Sequence, residues 1–247
     1  MAAGIEWTVR REDYAGRLAI VVPYRDRADH LRQLIPHLRT FFERDKLHRH
    51  IAYSIHIVEP TDPGPFNRGR VKNAGFALAR PQADYVCFHD VDYLPIWADY
   101  SYTPQPARLL WYGTTLQENY ERLFGGVIAF NCADFERVNG YSNDYWGWGY
   151  EDTDLLQRCQ RGGLTIERRD GTFVALPHAH AGYRDDDSPS EESEAMRALF
   201  EAKQAEPEQA RLDGLGSVRF ELVDTRQGFD ENGRPLNHIH HHRIRWT

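Results

Sequence analysis

The sequence predicts an α/β fold in a single domain, with a mostly parallel central sheet flanked by helices. Three observations carry that expectation. Short apolar runs of strand length alternate with helical stretches in the order strand–helix–strand–helix–strand. Several runs end in proline, glycine or a cluster of charge. Residues able to do chemistry gather just past those strand ends, where ligands of open α/β sheets bind.

The first strand is read over Leu18 to Pro23, an apolar run stopped by proline. Leu31, Leu34, Ile35, Leu38, Phe41 and Phe42 then recur at helical spacing. His50 to Val58 alternates and is rich in β-branched residues, so it is a second strand. Arg70 to Ala79 reads as a helix and Tyr85 to Phe88 as a third strand. Asp99 to Gln117 is polar, aromatic and interrupted by Pro104 and Pro106, so a loop is expected. Val127 to Phe130 is a strand, Ala133 to Val138 a short helix stopped by Asn139-Gly140, and Glu151 to Arg161 a helix ended by Gly162-Gly163. Thr165 to Arg168 and Phe173 to Leu176 are strands, Glu191 to Gln204 a surface helix, and Val218 to Val223 a last strand. Residues 225–247 are read as a C-terminal tail outside the core of 18–224. Its His238-Ile-His-His-His242 stretch fits a partly exposed strand better than a second metal site.

The chain has 247 residues, 41% of them hydrophobic, with a net charge of −7. That supports a core and argues against nucleic acid as a partner. No apolar run approaches the roughly 18 residues of a membrane span, and the N-terminus lacks a secretory apolar region. Three cysteines, an odd number, suit a reducing compartment, so a cytoplasmic location is expected. Aromatics, at 13%, are the one compositional oddity; in such number they often line pockets for flat or amphipathic ligands, though most serve the core.

Asp90-Val-Asp92 follows the third strand. Two carboxylates one residue apart in extended chain point the same way. They can hold a divalent cation beside a diphosphate or contact a sugar hydroxyl; a polar loop is the bland alternative. Trp146-Gly-Trp-Gly-Tyr-Glu-Asp-Thr-Asp154 is a poor helix or strand interior because glycine costs stability in both. It reads as an aromatic loop able to close over a ligand. Acids at the helix start that follows suit the macrodipole. Beside a closing loop, a carboxylate also suits a general base, and the combination favours function. His178-Ala-His180 shares a face and suits Mn²⁺ or Zn²⁺. Among 12 histidines, however, such a pair taken alone reads better as surface polarity. Arg25, Arg27, Arg68 and Arg70 offer forked donors for phosphate, or for ordinary surface ion pairs.

In order along the chain, the motifs resemble the β-1,4-galactosyltransferase family, nucleotide-sugar transferases with a GT-A (Rossmann-like) fold. The matching stretches are Val22-Pro-Tyr-Arg-Asp-Arg27, Phe66-Asn-Arg68, His89-Asp-Val-Asp92, Phe124-Gly-Gly126, Asn139-Gly140 and Tyr145-Trp-Gly-Trp-Gly149 with Glu151-Asp152; Asp213-Gly-Leu215 matches more weakly. The resemblance implies Asp92, His178 and His180 as Mn²⁺ ligands, which reverses the reading of the histidine pair. It implies that Pro23, Tyr24, Arg25, Arg27, Phe66, Arg68, Asp90, Val91, Gly126 and Trp148 hold the UDP-sugar donor. Asp152 would be the catalytic base of an inverting transfer. Leu123, Gly125, Trp146, Glu151 and Asp154 would contact donor or acceptor sugar. His89 and the His-x-His pair look most like the subgroup that galactosylates xylose. Leu123, where UDP-galactose users carry a larger aromatic, leaves room for an acetamide. UDP-galactose is therefore the first expectation for the donor and UDP-N-acetylgalactosamine the alternative, with a saccharide or glycoconjugate acceptor of the xylose or N-acetylglucosamine type. A silent sugar-nucleotide- or glycan-binding module would be expected to lose the base or the metal ligands, and a metal-dependent hydrolase would need a site open to water. The family's animal members carry a membrane anchor and disulfides. The chain therefore looks like a bacterial or otherwise cytosolic relative, working at a membrane surface where the acceptor is lipid-linked.

Overall fold

The computed structural model describes residues 16–44, 48, 51–110, 112–113, 124–169, 171–178, 188–230 and 232–247. In chain order the strands and helices are β1 (Arg17–Pro23), α1 (Ala28–Arg44), β2 (Ala52–Pro60), α2 (Arg68–Ala79), β3 (Tyr85–His89), β4 (Tyr93–Trp97), β5 (Ala107–Arg108), β6 (Tyr112–Gly113), β7 (Val127–Asn131), α3 (Cys132–Arg137), α4 (Glu151–Arg161), β8 (Glu167–Arg168), β9 (Thr172–Ala175), α5 (Glu191–Ala205), α6 (Pro207–Ala210), β10 (Phe220–Phe229) and β11 (Pro235–Trp246).

An eight-stranded sheet in the order β10-β11-β2-β1-β3-β7-β5-β8 forms the centre, and β4-β9-β6 form a small second sheet. The β1 strand is buried on both faces, which is why it reads as a continuous apolar run rather than an alternating one. Leu18, Ile20 and Val22 face one core with Leu34, Leu38 and Phe42 of α1. Ala19 and Val21 face a second core with Val71, Ala74 and Phe76 of α2, Phe135 of α3 and Leu155 of α4. The helices thus lie on both faces of the sheet.

The sheet is more mixed than expected. β1 pairs in parallel with β2 and β3, and β2 with β11, but β7 runs antiparallel to both β3 and β5. Hydrophobic pattern identifies a buried strand without giving its direction. Within the expected loop over 99–117 the chain makes β5 and β6, each of two residues.

The C-terminal residues are no tail. β11 inserts between β2 and β10, pairing in parallel with β2 and antiparallel with β10. Ile239 is 2% exposed and Ile244 is fully buried. Histidines account for the difference. His56 Nδ1 meets His242 Nε2 at 3.0 Å, His56 Nε2 meets Ser54 Oγ at 2.9 Å, and His242 Nδ1 meets Thr225 Oγ1 at 2.9 Å. Burial pushes His56 down to about 3 and His242 down to about 4, so both are neutral aromatic packing groups near pH 7. A scale that counts histidine as polar misplaces such a strand.

Among the described residues no helix is long and apolar enough to cross a membrane. If β11 is part of the core, Ile239→Ala destabilises the protein by about 2–4 kcal/mol. Urea unfolding measures this, and a loss below about 0.5 kcal/mol, the range of surface changes, would return 225–247 to a peripheral tail.

Candidate active site

The site begins with α2. Asn67 caps it: its side chain accepts from the Arg70 amide at 2.7 Å, fixing the start of the helix. The first turn then projects Arg68 and the second Lys72 towards the ends of β3 and α4. Arg68 donates to Asp90 Oδ2 at 3.0 Å, bonds Glu151 Oε1, and stands 3.5 Å from Asp152 Oδ2. Lys72 Nζ lies 3.4 Å from Asp152 Oδ1 and 3.5 Å from Asp90 Oδ1. Three carboxylates therefore share two cations, and all three carboxylates and Lys72 are buried.

Two further contacts fix the acids. The Asp90 amide donates to Gly126 O at 2.8 Å, tying the end of β3 to the start of β7. Gly125 lies directly against the acid: a Cβ there would come within 2.3 Å of Asp152 Oδ2. Only glycine permits this approach.

The two acids of α4 are set apart by their surroundings. Burial works to raise the Glu151 carboxyl, but Arg68, Lys72 and a backbone hydrogen bond together outweigh it and the net shift is downward. Burial raises Asp152 as well, and there the cations compensate less, leaving it up at about 6. Glu151 is thus a fixed anion and Asp152 a carboxylate titrating just below neutrality, suited to accept a proton.

Asp92 lies on the other side of Asp90. The Leu176 amide donates to Asp92 O at 2.7 Å, which draws the end of β9 against this turn. His178 Nε2 then reaches Asp92 Oδ2 at 2.6 Å. Burial works to raise Asp92, but the bond and charge of His178, a backbone hydrogen bond and Arg68 together outweigh it and the net shift is downward. One carboxylate oxygen and one imidazole nitrogen converging on a cleft form a donor set that suits a borderline cation such as Mn²⁺. Among the described residues no group of three such side chains is gathered; His180, the expected third ligand, lies outside them. His89 is fully buried, its Nε2 against the Tyr100 hydroxyl at 3.0 Å. It shapes the turn from beneath.

These side chains line two adjoining clefts. The first, about 470 Å³, is lined by Pro23, Arg25, Arg27, Phe66, Arg68, Asp90, Val91, Asp92, Trp148 and His178, together with Pro65, Gly147 and Glu192. The second, about 390 Å³, is lined by Arg68, Trp148, Glu151 and Asp152, with Tyr150 and Thr153 of the same segment and with Pro189, Ser193, Glu194 and Arg197 at and before α5. Trp148 and Arg68 belong to both and stand between them. The backbone around Trp148 is left-handed at Gly147 and Gly149, with φ of 96° and 103°.

Five expected contacts do not line the clefts: Gly125, which packs against Asp152, and Tyr24, Trp146, Asp154 and Gly126. Tyr24 alternates away from Pro23 and Arg25 into the core and packs edge-on against His241 at 5.5 Å. Trp146 lies 5.7 Å from the Arg70 guanidinium, which is also stacked on Trp246 at 4.3 Å. Asp154 is taken by Arg158 Nε at 2.6 Å, an i,i+4 pair that locks the helix. Gly126 packs against Leu110 and Tyr93, and its carbonyl accepts from the Asp90 amide. Leu123 lies outside the described residues. Conversely, sequence reasoning missed Lys72 and Glu192. A buried lysine carries no local signal, whereas Glu192 sits in the acidic helix start.

Groups suited to a cation and to phosphates in one cleft, and a buried carboxylate facing the next, fit a sugar-nucleotide transferase of the GT-A class. Known proteins agree. Residues 4–104 match the N-terminal region of glycosyl transferase group 7, and residues 112–180 match the N-terminal domain of galactosyltransferase. The xylosylprotein 4-β-galactosyltransferase of Caenorhabditis elegans is 31% identical, over 94% of this chain and 81% of that protein. The β-1,4-galactosyltransferase 7 of Drosophila melanogaster is 29% identical, over 85% of this chain and 65% of that one. A crystal structure of an aspartate-to-asparagine variant of the Drosophila enzyme, in complex with manganese, UDP-Gal and xylobiose, superposes with a TM-score of 0.73 at 25% identity, covering 94% of both chains. The chain belongs to the β-1,4-galactosyltransferase family.

The Gly125 contact gives a direct test. Gly125→Ala must displace the Asp152 carboxylate, so kcat for sugar transfer falls by about 100-fold, the scale of an ångström-sized misplacement. Circular dichroism should show the fold retained. Unaltered kcat would mean that Asp152 does not need this contact.

Proposed function

We propose that the protein transfers galactose from UDP-galactose to a sugar hydroxyl of a xylose-type acceptor, with inversion and in the presence of Mn²⁺. The observation that carries this reading is Asp152: a buried carboxylate at the start of α4, facing the second cleft while sharing Arg68 and Lys72 with Asp90 of the first. The relatives support the choice of sugar, acceptor and metal.

On this reading the first cleft takes the donor. Arg25, Arg27 and Arg68 meet the diphosphate, Phe66 flanks the base, and Asp90 meets the ribose. Asp92 and His178 would hold the cation, with His180 as a third ligand. That ion would supply charge neutralisation at the departing diphosphate. The acceptor enters the second cleft. Asp152 takes the proton from its hydroxyl as that oxygen attacks the anomeric carbon from the face opposite the diphosphate. A single displacement converts the α-linked donor to a β-linked product, so no enzyme nucleophile is required. Trp148, between the two clefts, separates the reacting carbon from water. The three cysteines are free and buried, which supports a reducing, cytoplasmic setting.

The deciding assay follows UDP release and product formation across UDP-sugars, with and without Mn²⁺, on xylosides and N-acetylglucosaminides. Donor binding without transfer to any acceptor would favour a silent binding module. Asp152→Asn should lower kcat by about 10²–10⁴-fold while donor affinity persists. Because Asp152 is raised to about 6, activity should be full above that pH and fall as pH drops through it. An acid limb near pH 4, the ordinary carboxylate range, would assign the proton transfer elsewhere. Donor choice is tested by Leu123→Tyr: the added ring should reduce use of UDP-N-acetylgalactosamine relative to UDP-galactose by about tenfold or more, and an unmoved ratio would remove Leu123 from donor selection.

A further inference from the structure

Lys72 is 1% exposed, in the second turn of α2, on a face it shares with the buried Val71, Asn73 and Phe76. Lysine is almost never buried this completely unless it is paired. Among the described residues its ammonium stands against Asp152 Oδ1 at 3.4 Å, Asp90 Oδ1 at 3.5 Å, and the face of the Tyr141 ring at 4.9 Å. Asp90 Oδ1 has no hydrogen-bond partner among the described residues, and Lys72 Nζ stands 3.5 Å from it. The ring covers one side of the ammonium and the two carboxylates compensate its charge.

We propose that Lys72 is a positioning residue for the transfer: its buried ammonium bridges Asp90 and Asp152, holding the base ionised and aimed at the acceptor cleft. This rests on Asp152 being the base. The groups that face Asp152 are Arg68 and Lys72 from α2, Glu151 from its own helix, Asp90 from the end of β3, and the Tyr141 phenol from the segment after α3. The carboxylates disfavour its charge and the cations favour it. Arg68 is already engaged by Asp90 and Glu151, its bond to Asp90 being 3.0 Å and its distance to Asp152 3.5 Å. Without Lys72, Asp152 would be left among like charges in a dry site and would take up a proton near neutral pH. It would then be unable to accept one from the acceptor. The same ammonium touches Asp90, placed at the donor ribose, so one side chain links the geometry of the donor site to that of the base.

The test is a titration of the unloaded protein, which needs no substrate and is therefore independent of whether the transfer reading holds. Aspartate carboxyl carbons are labelled with ¹³C, and the Asp152 signal is assigned by its loss in Asp152→Asn. The parent signal should titrate near pH 6. In Lys72→Met the midpoint should rise by about one to three pH units, the effect of removing an opposite charge at this range. The acid limb of kcat/KM should move with it, costing at least about tenfold at pH 6.5 and much less at pH 9. An unmoved Asp152 signal in the folded variant overturns the proposal, as does a loss of activity equal at every pH. If Lys72→Met does not fold, Lys72→Gln keeps a hydrogen-bond donor without the charge and must show the same rise. If neither folds, adding Asp152→Asn to Lys72→Met must restore folding, because it removes the uncompensated charge. A double variant that still fails makes Lys72 a packing residue and refutes the bridge.

Discussion

The buried ion cluster of Arg68, Lys72, Asp90, Glu151 and Asp152 is the constraint around which the rest of the molecule is arranged. No member could be there alone, since an isolated charge at such depth costs far more than a fold of this size can spare. Together they join three elements distant in sequence: α2, the end of β3 and the start of α4. The cluster explains local features that otherwise look unfavourable. Helix α2 carries Lys72 and Asn73 on a buried face because their partners are waiting there: Asn73 Nδ2 donates to Tyr141 O at 2.7 Å. Helix α4 begins with acids and has no side-chain cap, since Glu151 and Asp152 serve the macrodipole while their charges are answered from α2. Gly125 has no side chain because Asp152 fills that space.

Such a cluster is weak evidence for stability, because well-packed apolar residues could hold the three elements at least as firmly. Its value is in chemistry. Two cations among three carboxylates leave one carboxylate incompletely compensated, and the geometry decides which. Arg68 engages Asp90 and Glu151 most closely, so Asp152 is left nearest to neutral. One arrangement of five side chains thus gives, on adjacent residues of one helix, a lasting anion and a carboxylate raised towards neutrality that on the proposed reading accepts the proton.

Much of this was legible in the sequence where the signal is local. β1, β2, β3, α1, α2 and α4 can each be read from their own residues, as short apolar runs or helical stretches, and the order of motifs placed Asp90, Asp92, Asp152 and Trp148 around adjoining clefts. What was not legible depends on partners far along the chain. β5 and β6 have two residues each and exist only through pairing, and β11 reads as a polar tail until His56 and Thr225 are known to face His242. Side-chain direction was legible but not used. Alternation past Pro23 turns Tyr24 away from Arg25, and an acid four residues before Arg158 reads as an internal helix pair, which is where Asp154 is found. Lys72 could not be read at all, since a lysine in a helix ordinarily marks the solvent face.

The placement of Trp148 and Arg68 between the clefts bears on how donor and acceptor could be kept in order. Both side chains line both cavities, so the two clefts share a wall. Trp148 is held between two left-handed glycines, and the Gly147 amide donates to Phe66 O at 2.8 Å, tying the loop to the wall of the first cleft. Glu192 enters from α5 against Gly147, so the same loop also touches the helix that lines the second cleft. On the proposed reading, a donor seated against Phe66, Arg68 and Asp90 would act on both fixed points of this loop. It would also draw on the two cations that Asp152 shares with Asp90. The acceptor side would then be completed only once the donor is in place, by contacts already present in the chain. That order would protect the sugar nucleotide from water, because the base and the wall that excludes solvent would be assembled by the same event.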